Sequence, residues 1–465
     1  MNSLASMLTP KSIAIVGASR KRTGPTGMLL DALAAYPSTP SLCIVNPSGE
    51  SIDGLPTFRT VAEMPDAVDL ALLLVPAAAT ETAARACAER GIHNMAVFSA
   101  GFADDREAVG TERQAALGQI HADTGVRILG PNSQGFLNLV DGIPATFSPS
   151  VMPAALARYF DGDEATAFAR AKGKVAIITQ SGGVGFALFN RGVARGVGFS
   201  YVISTGNEVD IELNDCLEFL LDDVHTDVVL MYVEGMHQPA RFAALGARAQ
   251  TAGKRLVIAK LGRSPAAARA AFSHTGHIAG DEHAYDAVFR RYGVVRAYDP
   301  DEMLDVAAAL SLCPPARGRG VGVVSASGGS AVWMSDALTS LGLEVPVLHP
   351  DTQELVRQQL PTFASIVNPV DITGAAAVGA AQVLATIAAD PAIDIVVLST
   401  TIANVARLDD DRAALGALAA DRTTPTCATW ASRYFPASSV ARRPSRCSCG
   451  RASPWSTRRP ATRWR

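Results

Sequence analysis

The sequence predicts an α/β protein in which a Rossmann-like domain is followed by two similar parallel α/β domains. Three observations predict it. Short, near-continuous apolar runs end in Gly, Pro or Asn turns and alternate with helical stretches; one strand, glycine turn and helix unit occurs twice; and 465 residues, 48% apolar and 18% charged, suffice for about three cores.

From Ser12 to about Val140 the apolar runs are "SIAIVGAS", "SLCIVNP", "DLALLLVP", "HNMAVFSAGF" and "VRILGPNSQGF". Strands buried on both faces of a parallel sheet read as such unbroken runs, because neither face alternates with solvent. This places a first domain at 6–140. Residues 141–172 carry Pro144, Pro149 and Pro153 and then "RYFDGDEATAFARAK", which reads as a linker or a short helical excursion.

The repeat follows. "KVAIITQSGGVGFALFNRGVARGVG" begins at Lys174 and "GVGVVSASGGSAVWMSDALTSLGLE" at Gly320; Ser181 aligns with Ser327 and Gly196 with Gly342, both pairs 146 residues apart. Two copies of one unit imply two like domains, placed at 173–314 and 318–435. "DVVLMYVEG" and "KRLVIAKLG" are later strands of the first, "DIVVLSTTI" and "TPTCATWAS" of the second. Residues 436–465 hold no Leu, Ile, Phe or Met and cannot offset their ordering entropy. They read as a basic disordered tail or, as the favoured hypothesis, as coding sequence out of frame.

The net charge of −3 conceals an asymmetry, since residues 441–465 contain eight arginines and no acid. The remaining body is acidic, which argues against a nucleic-acid partner. Seven scattered cysteines fit reduced thiols better than a disulfide framework. No signal peptide or long apolar span is evident, so the expectation is a cytoplasmic protein without membrane attachment.

"SIAIVGASRKRTGPTGMLLDAL" is a strand, a small-residue turn and a helix, the arrangement that receives phosphate on backbone N–H groups; the alternative is a turn serving only the fold. As a dinucleotide fingerprint it lacks a glycine at Ser19, and the second strand ends in Asn46 and Pro47 where a ribose-binding acid is expected. A ligand with a phosphate on that ribose would be repelled by an acid there. Coenzyme A is such a ligand and NAD is not. "ITQSGGVGFALF" repeats the arrangement with Ser181, Gly182 and Gly183 opening a helix. Thr179 occupies the place of the first glycine of a nucleophile elbow, so Ser181 suits a phosphate donor better than an attacking group. Ser327 is left as a structural echo.

His274, His277 and His283 lack metal-ligand spacing, and no metal site is expected. His277 and His283 read as structural. His274 lies in "SHTG", a polar turn that can present an imidazole.

"VEG" at Val233, "IAKLGRS" at Ile258 and "SHTGHIAGD" at Ser273, behind "QSGGVG" and together with "GPNSQG" at Gly130 and "NPVDITG" at Asn368, resemble the NDP-forming acyl-CoA synthetases, relatives of succinyl-CoA synthetase. The resemblance runs from about residue 6 to about residue 433. It implies a Rossmann-like CoA-binding domain followed by two flavodoxin-like domains. CoA would lie against Gly17, Ala18, Ser19, Arg20 and Gly27 after the first strand. Asn46, Pro47, Pro76, Ser99 and Asn132 would complete its surroundings. His274 would be phosphorylated in turnover, Glu234 would hold its ring and stabilise its charge, and Ser181, Gly182 and Gly183 would steady the phosphoryl group. A plainer reading of Glu234 is a solvated carboxylate at a strand end.

The implied reaction converts a carboxylic acid, CoA and ATP to acyl-CoA, ADP and phosphate through an acyl phosphate, with an imidazole as phosphoryl carrier. The family binds ATP/ADP with Mg on an ATP-grasp domain, and none follows residue 433. The chain is therefore expected to work in an oligomer with an ATP-grasp subunit, or to be part of a longer protein. Two alternatives compete: a CoA-binding regulatory or acyltransferase-associated module, and an NAD-dependent dehydrogenase, which the missing glycine and acid weaken. His277 in "SHTGHIAGDE" resembles members that activate aromatic acids such as ferulate; short acids such as acetate stay open.

Overall fold

Aliphatic and β-branched runs build the first sheet. Ser12–Val16 (β1), Ser41–Val45 (β2), Thr57–Phe58 (β3), Leu70–Leu73 (β4), Asn94–Val97 (β5) and Arg127–Leu129 (β6) pair in parallel in the order β3-β2-β1-β4-β5-β6. Alternate residues of β1 enter opposite cores: Ile13 and Ile15 join one, Ala14 and Val16 the other. Both faces are therefore covered, which is why the strand is apolar throughout. The computed structural model describes residues 4–431 apart from 20–23, 39, 65–67, 106, 161, 268, 270–281, 374–379 and 401–425; of residues 400 and 426–431 it describes only the strand.

The expected linker is a structural part of the second unit. Phe136–Asn138 (β7) and Ile143–Ala145 (β8) form an antiparallel hairpin that extends the second sheet. Gly142, at φ +75°, turns the chain between them. The other strands are Lys172–Thr179 (β9), Phe199–Ser204 (β10), Val228–Val233 (β11), Arg255–Lys260 (β12) and Val295–Arg296 (β13), in the order β13-β12-β11-β9-β10-β7-β8. Strand β7 sits on β10 with Leu137 opposite Val202. Helices Pro153–Ala157 and Glu164–Ala171 place Leu156 and Ala167 in the core beneath Val175 and Ile177. A three-residue strand buries its apolar side chains only against an existing sheet edge, so the first sheet closes at Leu129 rather than near residue 140.

The two sheets share one core. Ile13, Leu72 and Leu129 from the first join Ala176, Ile178 and Met231 from the second in a continuous apolar cluster. The third unit has Val321–Ser325 (β14), Val370–Asp371 (β15), Ile395–Thr400 (β16) and Thr426–Ala431 (β17), parallel in the order β15-β14-β16-β17. Val324, Leu384 and Leu398 lie in its core. The possible tail, 436–465, lies outside the described residues.

The repeat is structural down to its turn. Thr179 Oγ1 donates to Ser181 O (2.7 Å) and accepts from Ser181 N (3.1 Å); Ser325 Oγ makes the same pair with Ser327, at 2.8 and 3.1 Å. Helices Gly182–Val193 and Gly328–Ser340 follow, and Gly196 and Gly342 both have φ +79° after them.

Candidate active site

In an open parallel sheet the loops at the carboxyl ends of the strands form the ligand crevice, deepest where the strand order reverses. In the first sheet that point lies between β1 and β4. Gly17 and Ala18 follow β1, Asn46 and Pro47 follow β2, Pro76 follows β4 closely, Ser99 follows β5 and Asn132 follows β6. These seven of the residues proposed for CoA thus occupy one edge. Gly17 has φ +90°, and a Cβ there would lie 2.6 Å from Val75 Cγ1, so the turn admits glycine alone. Asn46 Nδ2 donates to Ala18 O (2.7 Å) and Asn46 Oδ1 accepts from Ser48 N (2.9 Å), tying the first two loops together. Gly27 is buried in helix Pro25–Ala35, while Ser19 is exposed. Arg20 lies outside the described residues.

The second sheet brings its own candidates to the corresponding edge. Ser181 caps helix Gly182–Val193 directly after β9 with no side-chain capping bond to that helix. A Cβ on Gly183 would meet nothing within 4 Å, so the helix N-terminus is open there. Glu234 follows β11, the neighbour of β9, with Tyr232 opposite Thr179. A buried carboxylate and a helix N-terminus therefore stand at the ends of adjacent strands. Glu234 is only 4% exposed, which excludes the reading of a solvated strand-end group. His274 and His277 lie outside the described residues; His283 stands in helix Glu282–Tyr292.

Three further side chains stand at this edge. Gln180 Oε1 accepts from Glu234 N (2.7 Å) and Gly235 N (3.2 Å). Glu208, in the loop after β10, accepts from Gln180 Nε2 (3.0 Å). Lys260 ends β12 and donates to Glu234 O at 3.0 Å, with its Nζ 5.0 Å from the Tyr285 ring centre. Burial pushes its ammonium down to about 8, with Glu282 opposing, Arg296 adding and Glu234 opposing. Sequence reasoning missed all three, although Gln180 directly precedes the "SGG" turn.

The two edges are locked together by loop 130–134 of the first unit and loop 204–208 of the second. Ser133 Oγ donates to Ser204 O (2.6 Å), Asn132 Nδ2 to Asn207 Oδ1 (3.2 Å), and Asn207 Nδ2 to Asp104 Oδ1 (2.8 Å). Among the described residues no group of three His, Cys, Asp or Glu side chains could hold a metal ion, and no helix is long and apolar enough to cross a membrane.

Comparison with known proteins gives three family matches: a CoA binding domain over 11–138, a succinyl-CoA ligase like flavodoxin domain over 172–310 and a ligase-CoA domain over 321–406. The alpha subunit of acetate–CoA ligase [ADP-forming] I from Pyrococcus furiosus is 34% identical over 80% of this chain and 77% of its own length. A trans-feruloyl-CoA synthase from an unknown prokaryotic organism is 33% identical over 79% of this chain. The chain spans 50% of that relative. The dinucleotide forming acetyl-coenzyme A synthetase 1 of Ca. Korarchaeum cryptofilum, solved with phosphate and ADP, superposes with a TM-score of 0.81 at 27% identity, over 94% of this chain and 91% of that one.

Fold, site and likeness define an acid–thiol ligase chain that uses CoA and a nucleotide, built of a Rossmann-like CoA-binding unit and flavodoxin-like ligase units. Within that class, the chain belongs to the ADP-forming acyl-CoA synthetase family.

Proposed function

We infer that this chain is the CoA-binding and phosphoryl-carrying component of an ADP-forming acyl-CoA synthetase, which converts a carboxylic acid, CoA and ATP to acyl-CoA, ADP and phosphate. The observation that carries the reading is the buried Glu234 carboxylate at the end of β11, beside the open helix N-terminus at the end of β9.

His274 is the phosphoryl carrier. Its imidazole attacks phosphorus with one nitrogen, and Glu234 accepts a hydrogen bond from the other, fixing the tautomer and offsetting the charge that develops on the ring. Ser181, Gly182 and Gly183 face the transferred group with a helix N-terminus, which favours an anion by about 0.3–1 kcal/mol at an exposed site and more when partly buried. In the first unit the glycine turn at Gly17 and the neutral Asn46 and Pro47 in place of an acid at the end of β2 fit a ligand with a ribose phosphate. Bound CoA supplies a thiol that takes the acyl group from phosphate.

The nucleotide and its Mg belong to an ATP-grasp domain, on a partner subunit or elsewhere in a longer chain. The assembly is an oligomer at work in the cytoplasm. Domains are assigned at 6–135, 136–314 and 318–435, the hairpin and the helices before β9 going to the second.

The test supplies an ATP-grasp subunit and ATP labelled on its terminal phosphate. Acid-labile, base-stable label is expected on this chain and lost in His274→Ala, with Glu234→Gln reducing it by about 10²-fold. Label persisting in His274→Ala refutes the assignment. A panel from acetate to ferulate then identifies the acid.

A further inference from the structure

Gln180 lies between the two catalytic features, Glu234 and the Ser181 turn, and belongs to neither. Its Oε1 accepts from the main-chain N–H groups of Glu234 (2.7 Å) and Gly235 (3.2 Å); its Nε2 donates to Gly235 O (2.9 Å) and Glu208 Oε2 (3.0 Å). One buried amide thus holds both sides of the Glu234–Gly235 segment. Lys260 Nζ holds Glu234 O from the neighbouring strand at 3.0 Å.

Gln180 is aimed in turn by Glu208. Besides the bond from Gln180, the Glu208 carboxylate accepts from Thr205 Oγ1 (2.8 Å) and Leu213 N (3.0 Å). Glu208 is 7% exposed, and its backbone has φ +59°. A side chain with a Cβ pays roughly 1–2 kcal/mol in that left-handed region. A glutamate kept buried in an unfavourable backbone conformation, with donors on both oxygens, is a fixed support.

We infer that Gln180 and Glu208 are positioning residues for phosphoryl transfer: a buried amide–carboxylate pair that clamps the Glu234–Gly235 peptide and so fixes the direction of the Glu234 carboxylate. The link to transfer rests on the role given to Glu234 above; the clamp rests on geometry. Neither residue needs to touch the phosphoryl group.

The pair can be exchanged as well as broken. In Gln180→Glu the new carboxylate faces Glu208, and the donors to Gly235 O and Glu208 are lost. Adding Glu208→Gln restores an amide facing a carboxylate. With the repulsion relieved, the oxygen at 180 accepts from the two main-chain N–H groups in place; the bond to Gly235 O stays lost, as does the Glu208 charge 3.9 Å from His237 Nε2.

Two readouts on the full chain separate the clamp from its consequence. The first is hydrogen exchange of the Glu234 and Gly235 amides by mass spectrometry with fragment resolution. Gln180→Glu should accelerate it by about tenfold or more while the amides of Val228–Val233 keep their protection, and the double variant should reverse most of the change. The second is the rate at which acetyl-CoA and labelled phosphate, or feruloyl-CoA where acetyl-CoA is not used, label His274: phosphate displaces CoA from the acyl carbon, and the imidazole then takes the phosphoryl group and releases the acid. Gln180→Glu should slow labelling by about tenfold or more with the CoA dissociation constant within about twofold of wild type, and the double variant should recover at least about half of the loss on a logarithmic scale. Unchanged exchange in Gln180→Glu, or a double variant no better than the worse single one in both readouts, overturns the proposal. Wild-type protein that exchanges as expected but never carries phosphate at His274 overturns the phosphohistidine reading and the link to transfer, while exchange still decides the clamp.

Discussion

Lys260 Nζ donates to the main-chain carbonyl of Glu234 at 3.0 Å, across the β11–β12 pair whose last register position sets Val233 opposite Lys260. A lysine rather than an apolar residue closes this strand because the carbonyl beyond it would otherwise lack that donor. The cost is burial of a charge, which pushes the pKa of the ammonium down.

Burial lowers the Lys260 ammonium from 10.5 to about 8, against the opposing Glu282 and Glu234 carboxylates. Its folded value lies below its unfolded one, so between those two values the unfolded chain binds more protons and stability contributed by this group rises with pH. The penalty is fully present below pH 8 and disappears as pH rises towards 10.5. Wild type should therefore gain on Lys260→Met by on the order of 2 kcal/mol across that window. Urea unfolding of both proteins at pH 7.5, 9 and 10 measures it, and a constant difference would refute the titration.

Gly17 tests the CoA edge. An alanine there must adopt φ +90° and bring its Cβ to 2.6 Å from Val75 Cγ1 and 3.1 Å from the main chain of Leu74. The turn must open, and Ala18, whose carbonyl is tied to Asn46, moves with it. Gly17→Ala should weaken CoA binding at least about tenfold and destabilise the protein by about 1–3 kcal/mol. Calorimetric titration showing unchanged CoA affinity in a folded variant would move CoA away from this turn.

Asn207 tests the lock between the two units. It is 2% exposed. Its amide nitrogen donates to Asp104 Oδ1 (2.8 Å) and Gln114 Oε1 (3.0 Å), and its oxygen accepts from Asn132 Nδ2 (3.2 Å). Asn207→Ala leaves an acid and two amides short of partners at the junction and should cost about 1–3 kcal/mol. Because Asn132 is one of the residues assigned to CoA, its affinity should fall as well. A Tm unchanged from wild type would show that the junction does not depend on this network.

The parts of the fold legible in the sequence are those whose physics is local. "IAIV" at 13–16 and "VVLM" at 228–231 are buried on both faces and say so by carrying no polar residue, and the repeat around Ser181 and Ser327 needs no structure to be seen. The hairpin at 136–145 is not legible, because three-residue strands carry almost no periodicity; Asp141-Gly142 is its one signal, a common turn pair between apolar runs. Asn138 Nδ2 donates to Asp141 Oδ2 and Asn138 Oδ1 accepts from Asp141 N, a local closure that the dipeptide foreshadows. Glu234 and Ser181 were legible as strand-end residues. Gln180, Glu208 and Lys260 were not, since their partners lie 54, 28 and 26 residues away in sequence and only the sheet order brings them together.

The repeat permits a controlled comparison within one chain. Thr179 with Ser181 and Ser325 with Ser327 make the same two bonds, to within 0.1 Å, and each opens a helix of at least twelve residues. If the glycine turn alone made a phosphate site, both copies would serve. The first copy differs in its neighbour: Glu234 stands at the end of the adjacent strand β11, whereas β16, beside β14, ends in Ser399 and Thr400. Ser181→Ala should therefore lower His274 labelling by about 10–150-fold, the range expected for one hydrogen-bond donor to a charged group. Ser327→Ala should leave labelling within about twofold of wild type. Equal losses from the two substitutions would mean that the second copy belongs to the phosphoryl-transfer site, and labelling indifferent to both would remove Ser181 from it.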